Sequence, residues 1–352
     1  MIEFYRFSRH IKTRVIQKST IRGLLNLSVL SRKIPIIAIL IFLVSCEKIE
    51  KDLKDPAESD KWTLYNTATG LTGNQVRGTF CDSKGDMWFA VSSNGAAKYS
   101  QGTWTYYKTS NSGILSNGVT CVGEDSDGNM LFGTTNGISI LETDKTWSYW
   151  RHPTLSLVIT CIKTDKNGNI WAGTSNQGFF VFDGSQITQV YYEEQKTIND
   201  IEEDSKGNIW IGTDGGLLKF DGNRLTLITM SDGLPDNIIT ALLSDSKNRL
   251  WIGTYFGKTV SWLDSQGIHQ QSLFNGGLAL QMNDISEDAA GNLWFSTYES
   301  GLIRFDGVVP YAFKRYNGIP EDDIIASASD REGNIWFGLY SKGLLKYALP
   351  LN

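Results

Sequence analysis

Cysteine is scarce in this chain: four residues in 352, none at the spacing of a metal or redox motif. The last three, Cys81, Cys121 and Cys161, form an odd, unclustered set, which reads as buried free thiols rather than a disulfide framework. Histidine is scarcer still, with only His152 and His269 beyond the N-terminal region, so a Ser-His-Asp or Cys-His nucleophilic arrangement is poorly supplied. Apolar runs are short, the longest being the eleven residues Ile34–Val44, well under the ~20 of a membrane-spanning helix. Positive charge is lacking where a nucleic-acid binder needs it. Eight of the 33 basic residues and one of the 38 acidic ones lie before residue 46, leaving 25 against 37, which excludes a basic face for phosphate contacts. Seven prolines against 35 glycines, 11 tryptophans and 41% apolar residues describe a folded, turn-rich chain.

The basic start and short apolar core have the form of a signal peptide. It ends in Leu43-Val44-Ser45-Cys46, which resembles the bacterial lipobox and implies acylation of Cys46; the alternative is an ordinary signal peptide with a chance cysteine. Residues 46–60 are charged and carry no periodic apolar face, as expected of a solvated tether. The expected organisation is therefore a lipoprotein signal peptide over 1–45, a tether over 46–60 and one folded domain over 61–352.

What is present in abundance is a phrase, Asp204-Ser-Lys-Gly-Asn-Ile-Trp-Ile-Gly-Thr213, and its copies. Its tryptophan position falls at Trp88, Leu131, Trp171, Trp210, Trp251, Trp294 and Trp336, at steps of 39 to 43 residues. Six residues earlier stands a turn aspartate, Asp82, Asp125, Asp165, Asp204, Asp245, Asp288 or Asp330, whose carboxylate can accept nearby backbone N–H groups. The strand after the turn, as in Ile209-Trp210-Ile211, is apolar on both alternating faces and must be covered on both. A glycine two residues past most tryptophans (Gly133, Gly173, Gly212, Gly253, Gly338) leaves room for a neighbouring backbone. Four short strands per ~42 residues, each sheet covered by the next, predict an all-β, seven-bladed β-propeller. Leu131 and Asn248 depart from the phrase and are expected to weaken one blade each.

The seventh repeat runs out near Tyr347, before an outermost strand can form. Lys61–Thr67 reads like Thr103–Thr109 and is expected to complete that last blade, closing the ring without an exposed edge. Asp-x-x-Gly-Asn-x-Trp-x-Gly-Thr followed by Gly-Leu-x-x-Phe-Asp resembles the two-component regulator propeller repeat over about residues 61–347. That resemblance implies the ligand-sensing propeller of Bacteroidetes hybrid sensor kinases, which often respond to polysaccharide fragments. Here the sensor part is expected without kinase or regulator segments, held at the membrane by lipid only.

Residues recurring in every blade are structural, so function is sought where blades differ. Four residues past the tryptophan position, blades 1 to 4 carry Ser92, Thr135, Ser175 and Asp214, and blades 5 to 7 carry Tyr255, Tyr298 and Tyr340. With Phe256 and Glu299 beside them, the tyrosines would form an aromatic arc at the channel mouth, suited to a sugar or a protein partner, or would merely pack between loops. Five residues before the turn aspartates stand Arg77, Thr120, Thr160, Asn199, Thr240, Asn283 and Ile325, a mostly neutral polar ring with one cation. It could hold ligand hydroxyls, chiefly through Arg77, Asn199 and Asn283, or only water. Asp200 and Asp284 sit one residue on, so which alternating face turns inward stays open. Asp125-Ser-Asp127-Gly-Asn129 lacks the later ligands of a calcium loop, and other blades place lysines in that turn.

Together with the resemblance, which is what implies an oligosaccharide rather than a protein, these residues lead to the expectation of an envelope-located, lipid-anchored binding propeller for an extracellular or periplasmic ligand, with no cofactor, metal or catalytic group expected. A protein-interaction scaffold in an envelope assembly and a lyase-type propeller enzyme are the alternatives. The lyase class works with a histidine and an acidic metal-linked site, for which this sequence has no convincing equivalent.

Overall fold

The turn aspartate organises each repeat with both of its oxygens. In blade 1, Asp82 Oδ1 accepts the backbone N–H groups of Lys84 and Asp86, which closes the hairpin turn. Oδ2 accepts the Trp88 indole N–H at 2.8 Å, and the same bond recurs in all six tryptophan-bearing blades at 2.8–2.9 Å. A buried indole thereby keeps its donor satisfied while its rings fill the space between blades.

The computed structural model describes residues 61–349, apart from 153–155, 191, 193–196 and 274–279. The expected signal peptide, the tether and Cys46 lie outside the described residues. Among those described, 28 strands form seven four-stranded sheets, each an antiparallel meander from the inside outward. Blade 4 is typical: Ile198–Glu203, Ile209–Thr213, Gly216–Phe220 and Leu225–Ile228. The second strand is buried along its whole length in every blade. Each large side chain so covered contributes roughly 1.5–3 kcal/mol relative to exposure, which makes these strands the main source of cohesion.

The outermost place in the seventh sheet is taken by Trp62–Tyr65, which pairs antiparallel with Leu344–Tyr347 in the register Trp62↔Tyr347 to Tyr65↔Leu344. Tyr65 stacks on Trp336 at 5.3 Å, and Trp336 in turn meets Phe89 of blade 1.

The glycines past the tryptophans make room mainly for side chains, a correction to the expected backbone approach. A Cβ on Gly173 would lie 2.5 Å from Cys161 Sγ and 2.7 Å from an Ile198 methyl. Only Gly338 is crowded chiefly by backbone, with the Val76 carbonyl oxygen at 2.5 Å. Neither departure from the repeat disrupts its blade. Asn248 takes the glycine's place at φ 61°, a left-handed conformation asparagine tolerates, and the strand around Leu131 is fully paired and buried.

Candidate ligand-binding face

In six of the seven blades the loop after the second strand is tied to the residue that precedes an inner strand. The backbone N–H groups of Ser92, Thr135, Ser175, Tyr255, Tyr298 and Tyr340 donate to the carbonyls of Gln75, Gly118, Val158, Ile238, Gln281 and Asp323. The two sets of loops therefore open on one face. Tyr255, Tyr298 and Tyr340 are 38%, 43% and 50% exposed, and Phe256 is 63% exposed with its ring edge-on to Tyr255 at 4.6 Å. Tyr298 is held above its ordinary pKa by the charges of Glu299 and Asp323. Its hydroxyl stays a neutral donor and acceptor.

Carboxylates hold these loops in shape, a role that the repeat pattern alone does not disclose. Asp236 Oδ2 accepts the Phe256 N–H at 2.8 Å, Asp323 Oδ1 accepts the Glu299 N–H at 2.7 Å, and Glu321 takes both the N–H and the hydroxyl of Ser341. The signal available in sequence is the acidic residues just ahead of the inner strands in blades 5 and 7, which are absent at those places in the others.

The polar ring does something unforeseen. Every inner strand carries a bulge at this position, so the register skips one residue. The freed side chain reaches the next blade: Thr120 donates to the Ile159 carbonyl at 2.6 Å, Thr160 to Ile198 at 2.6 Å, Asn199 to Ile239 at 2.8 Å and Asn283 to Ile324 at 2.7 Å. Thr240 donates likewise to the Met282 carbonyl. Asn199 also donates to Asp214 Oδ1. Asn199 and Asn283 thus have donors committed between blades, whereas Arg77 is exposed and Ile325 has nothing to donate.

One residue further on, Asp200 and Asp284 are bound to neighbouring blades as well. Asp200 Oδ2 accepts the Leu242 N–H at 2.7 Å, and Asp284 Oδ2 accepts the N–H and hydroxyl of Ser327. Burial, joined by the Asp284 charge, pushes the Asp200 carboxyl up to about 8, and burial pushes Asp284 up to about 7. Cys121 and Cys161 occupy the same level in blades 2 and 3; burial drives the Cys121 thiol to about 12 and Cys161 well above its usual range. Among the described residues the three late cysteines are free thiols. Asp125, the calcium-loop candidate, has its oxygens turned to Asp127 and Asn129 of its own turn. His269 lies on an outer strand, bonded to Asp264 and stacked on Trp262.

The model of the family described as two component regulator propeller matches residues 113–136, 155–176, 193–215 and 233–256. Among solved structures, the extracellular domain of a protein assigned to the hybrid two-component systems of B. thetaiotaomicron is 25% identical, with a TM-score of 0.69. The match covers 82% of this chain and 41% of that one, so this chain spans about two fifths of that extracellular domain's length. Virginiamycin B lyase from Staphylococcus aureus is 17% identical over 82% of this chain and 99% of its own, with a TM-score of 0.69. PorZ, a surface component of the type-IX secretion system of Porphyromonas gingivalis, is 15% identical over 79% of this chain and 46% of its own, with a TM-score of 0.64. The last two likenesses are of fold. No curated protein matches the chain. The four matched units are thus two-component regulator propeller repeats, and three further units of this chain share their turn aspartate and tryptophan place.

Proposed function

We propose that this chain is a sensor-like binding propeller of the cell envelope, anchored by lipid at Cys46, that captures an oligosaccharide or related extracellular ligand on its tyrosine-bearing face. The observation that carries the reading is the set of three tyrosines at one repeat-equivalent loop position on consecutive blades, all well exposed, with Phe256 more exposed still. Exposed rings offer flat apolar area to the C–H faces of a sugar, and phenol hydroxyls offer both donors and acceptors to its hydroxyls. Burial of that much aromatic surface in a packing role would leave the rings covered, as it does for the blade tryptophans. Glu299 and the exposed Arg77 supply polar groups at the same mouth. Asn199 and Asn283 contribute there through the wall they brace.

The test is a glycan array on residues 61–352, followed by titration of the hit against Tyr255→Ala, Tyr298→Ala and Tyr340→Ala. Each change should weaken capture by roughly 1–2 kcal/mol, as for aromatic anchors, with melting almost unchanged. Ser175→Ala, at the same loop position on blade 3 across the ring, serves as the control. Equal loss in the control and the tyrosine variants sinks the one-sided platform. A pull-down from envelope extract run in parallel serves the second reading: a protein partner retained through the same tyrosines, with no glycan bound, makes the chain a scaffold instead.

A further inference from the structure

The blades also differ on the face opposite the tyrosines. Each second strand runs from the turn aspartate toward the tyrosine-bearing face, so whatever pairs with its first residue lies at the far end of the sheet. In blade 6, Leu293 pairs with Phe305 and Phe305 with Pro310, which puts the hairpin tip 306–309 at that far end. In blade 7, Ile335 pairs with Tyr347 and Tyr347 with Trp62, so the chain enters the last sheet at the same end. The Ala348 N–H donates to the Lys61 carbonyl at 2.8 Å and fixes that entry.

The corresponding tips of blades 1 to 5, at 101–102, 142–146, 183–186, 221–224 and 265–266, carry no apolar side chain. Blade 6 instead presents Val308 and Val309, 78% and 55% exposed. Asp306 Oδ1 accepts both of their N–H groups, at 2.8 and 2.7 Å, so the turn is held by its aspartate and not by packing of the valines. Two apolar side chains held out from an ordered turn gain by being covered. The tip adjoins the entry of the chain: Phe313, on the strand that follows the tip, meets the Trp62 ring at 5.3 Å. Two cations converge there as well. Arg304 and Lys61, both partly exposed, donate to the Tyr347 hydroxyl at 2.9 and 3.4 Å.

The fifteen residues 46–60, expected from sequence to be a tether, join the propeller at this entry and reach at most about 50 Å when fully extended. An anchor at Cys46 thus keeps the entry, and the valine tip beside it, close enough to the bilayer to meet it at high effective concentration.

We infer that the Val308–Val309 hairpin of blade 6 is a second membrane contact, its valines entering the headgroup boundary of the bilayer that holds the anchor while Lys61 and Arg304 face lipid phosphates. This rests on the anchoring at Cys46 proposed above and not on the glycan. Seated this way, the propeller turns its tyrosine-bearing face away from the bilayer, because tip and tyrosines lie at opposite ends of the strands.

In the test, a hexahistidine tag replaces the acyl group on the chain from residue 47, all 28 described strands lying beyond residue 61. The tagged chain is bound to vesicles of phosphatidylethanolamine and phosphatidylglycerol that carry nickel-chelating lipid and a nitroxide on phospholipid acyl chains. A small fluorophore is attached at Val308→Cys, at Ser185→Cys on the blade 3 tip across the ring, or at Lys342→Cys on the tyrosine-bearing face; wild type treated in the same way gives the background from native thiols. Quenching at 308 should exceed that at 185 and 342 by roughly twofold or more, and Val309→Asp in the chain labelled at 308 should remove the excess. Exchanging phosphatidylglycerol for phosphatidylcholine should lower quenching at 308 by roughly twofold. Equal quenching at the three sites overturns the contact. An excess that survives Val309→Asp, with melting unchanged, overturns the role of the valines, and one indifferent to phosphatidylglycerol overturns that of Lys61 and Arg304. Self-association that Val309→Asp abolishes, without an excess of quenching at 308, assigns the tip to a second copy of the chain and overturns the membrane reading. Because the tag stands in for the acyl group, none of these outcomes depends on acylation of Cys46, which the mass of the mature N-terminus reports separately.

Discussion

Removing one ring from the strand that completes the seventh blade should destabilise the whole propeller. Trp62 lies about 280 residues in sequence from its partner strand. Its indole meets Tyr347 at 4.6 Å, Phe313 at 5.3 Å, Phe337 at 6.1 Å and Trp294 at 6.3 Å, so it binds blade 7 to blade 6 as well as to its own sheet. Truncating a fully buried tryptophan to alanine costs about 3–5 kcal/mol. Trp62 is half-buried, which places Trp62→Ala near the lower end, ~3 kcal/mol. At ~2.1 cal/mol/K per residue, a domain of roughly 290 residues has an unfolding entropy of ~0.6 kcal/mol/K, so the melting temperature should fall by ~5 °C. Thr63→Ala, exposed on the same strand, should change stability by no more than ~0.5 kcal/mol. Near-UV circular dichroism, with a urea titration to confirm an unchanged m-value, reads both variants. If Trp62→Ala melts within a degree of the wild type, the strand is a loose appendage and the reasoning from ring closure fails.

Stability should fall as pH rises from about 4 to about 8. Asp200 and Asp284 titrate near the ordinary carboxylate value when unfolded and at about 8 and about 7 when folded, so in that window the folded state binds more protons. Asp200→Asn, which keeps an oxygen for the Leu242 amide and carries no charge, should flatten the profile; identical slopes in variant and wild type would count against a buried carboxyl. The thiols of Cys121 and Cys161 should resist a disulfide reagent at pH 8 in the native protein and react promptly after unfolding, because the reactive species is the thiolate. Rapid labelling of the native protein contradicts this. Mass spectrometry of the mature N-terminus should find an acylated Cys46, and a free N-terminus at any other residue excludes the anchor.

The ring was legible because the information that specifies it is local and repeated. A turn aspartate and a strand apolar on both faces recur seven times in one register, with a glycine able to take positive φ in six copies and Asn248 in the other, and each copy excludes a sheet with a wet side. The aspartate's second bond was half visible: the constant six-residue spacing to tryptophan is the mark of Oδ2 accepting the indole N–H, a contact that needs the hairpin's actual geometry to recognise. The tyrosine arc was equally visible as a difference between blades at one loop position. Tertiary structure alone decided the rest, because it lies in relations between blades rather than within them. The inner-strand bulge turns Thr120, Thr160, Asn199 and Asn283 onto the next blade's carbonyls, and a bulge leaves no period-two trace in a six-residue strand. The same geometry brings Asp200 within electrostatic reach of Asp284 and leaves both half-buried. In sequence Leu131 is merely a conservative apolar replacement; only the packing of blade 2 on blade 3 covers it completely and leaves Phe182 exposed at the register where Phe305 and Tyr347 are buried.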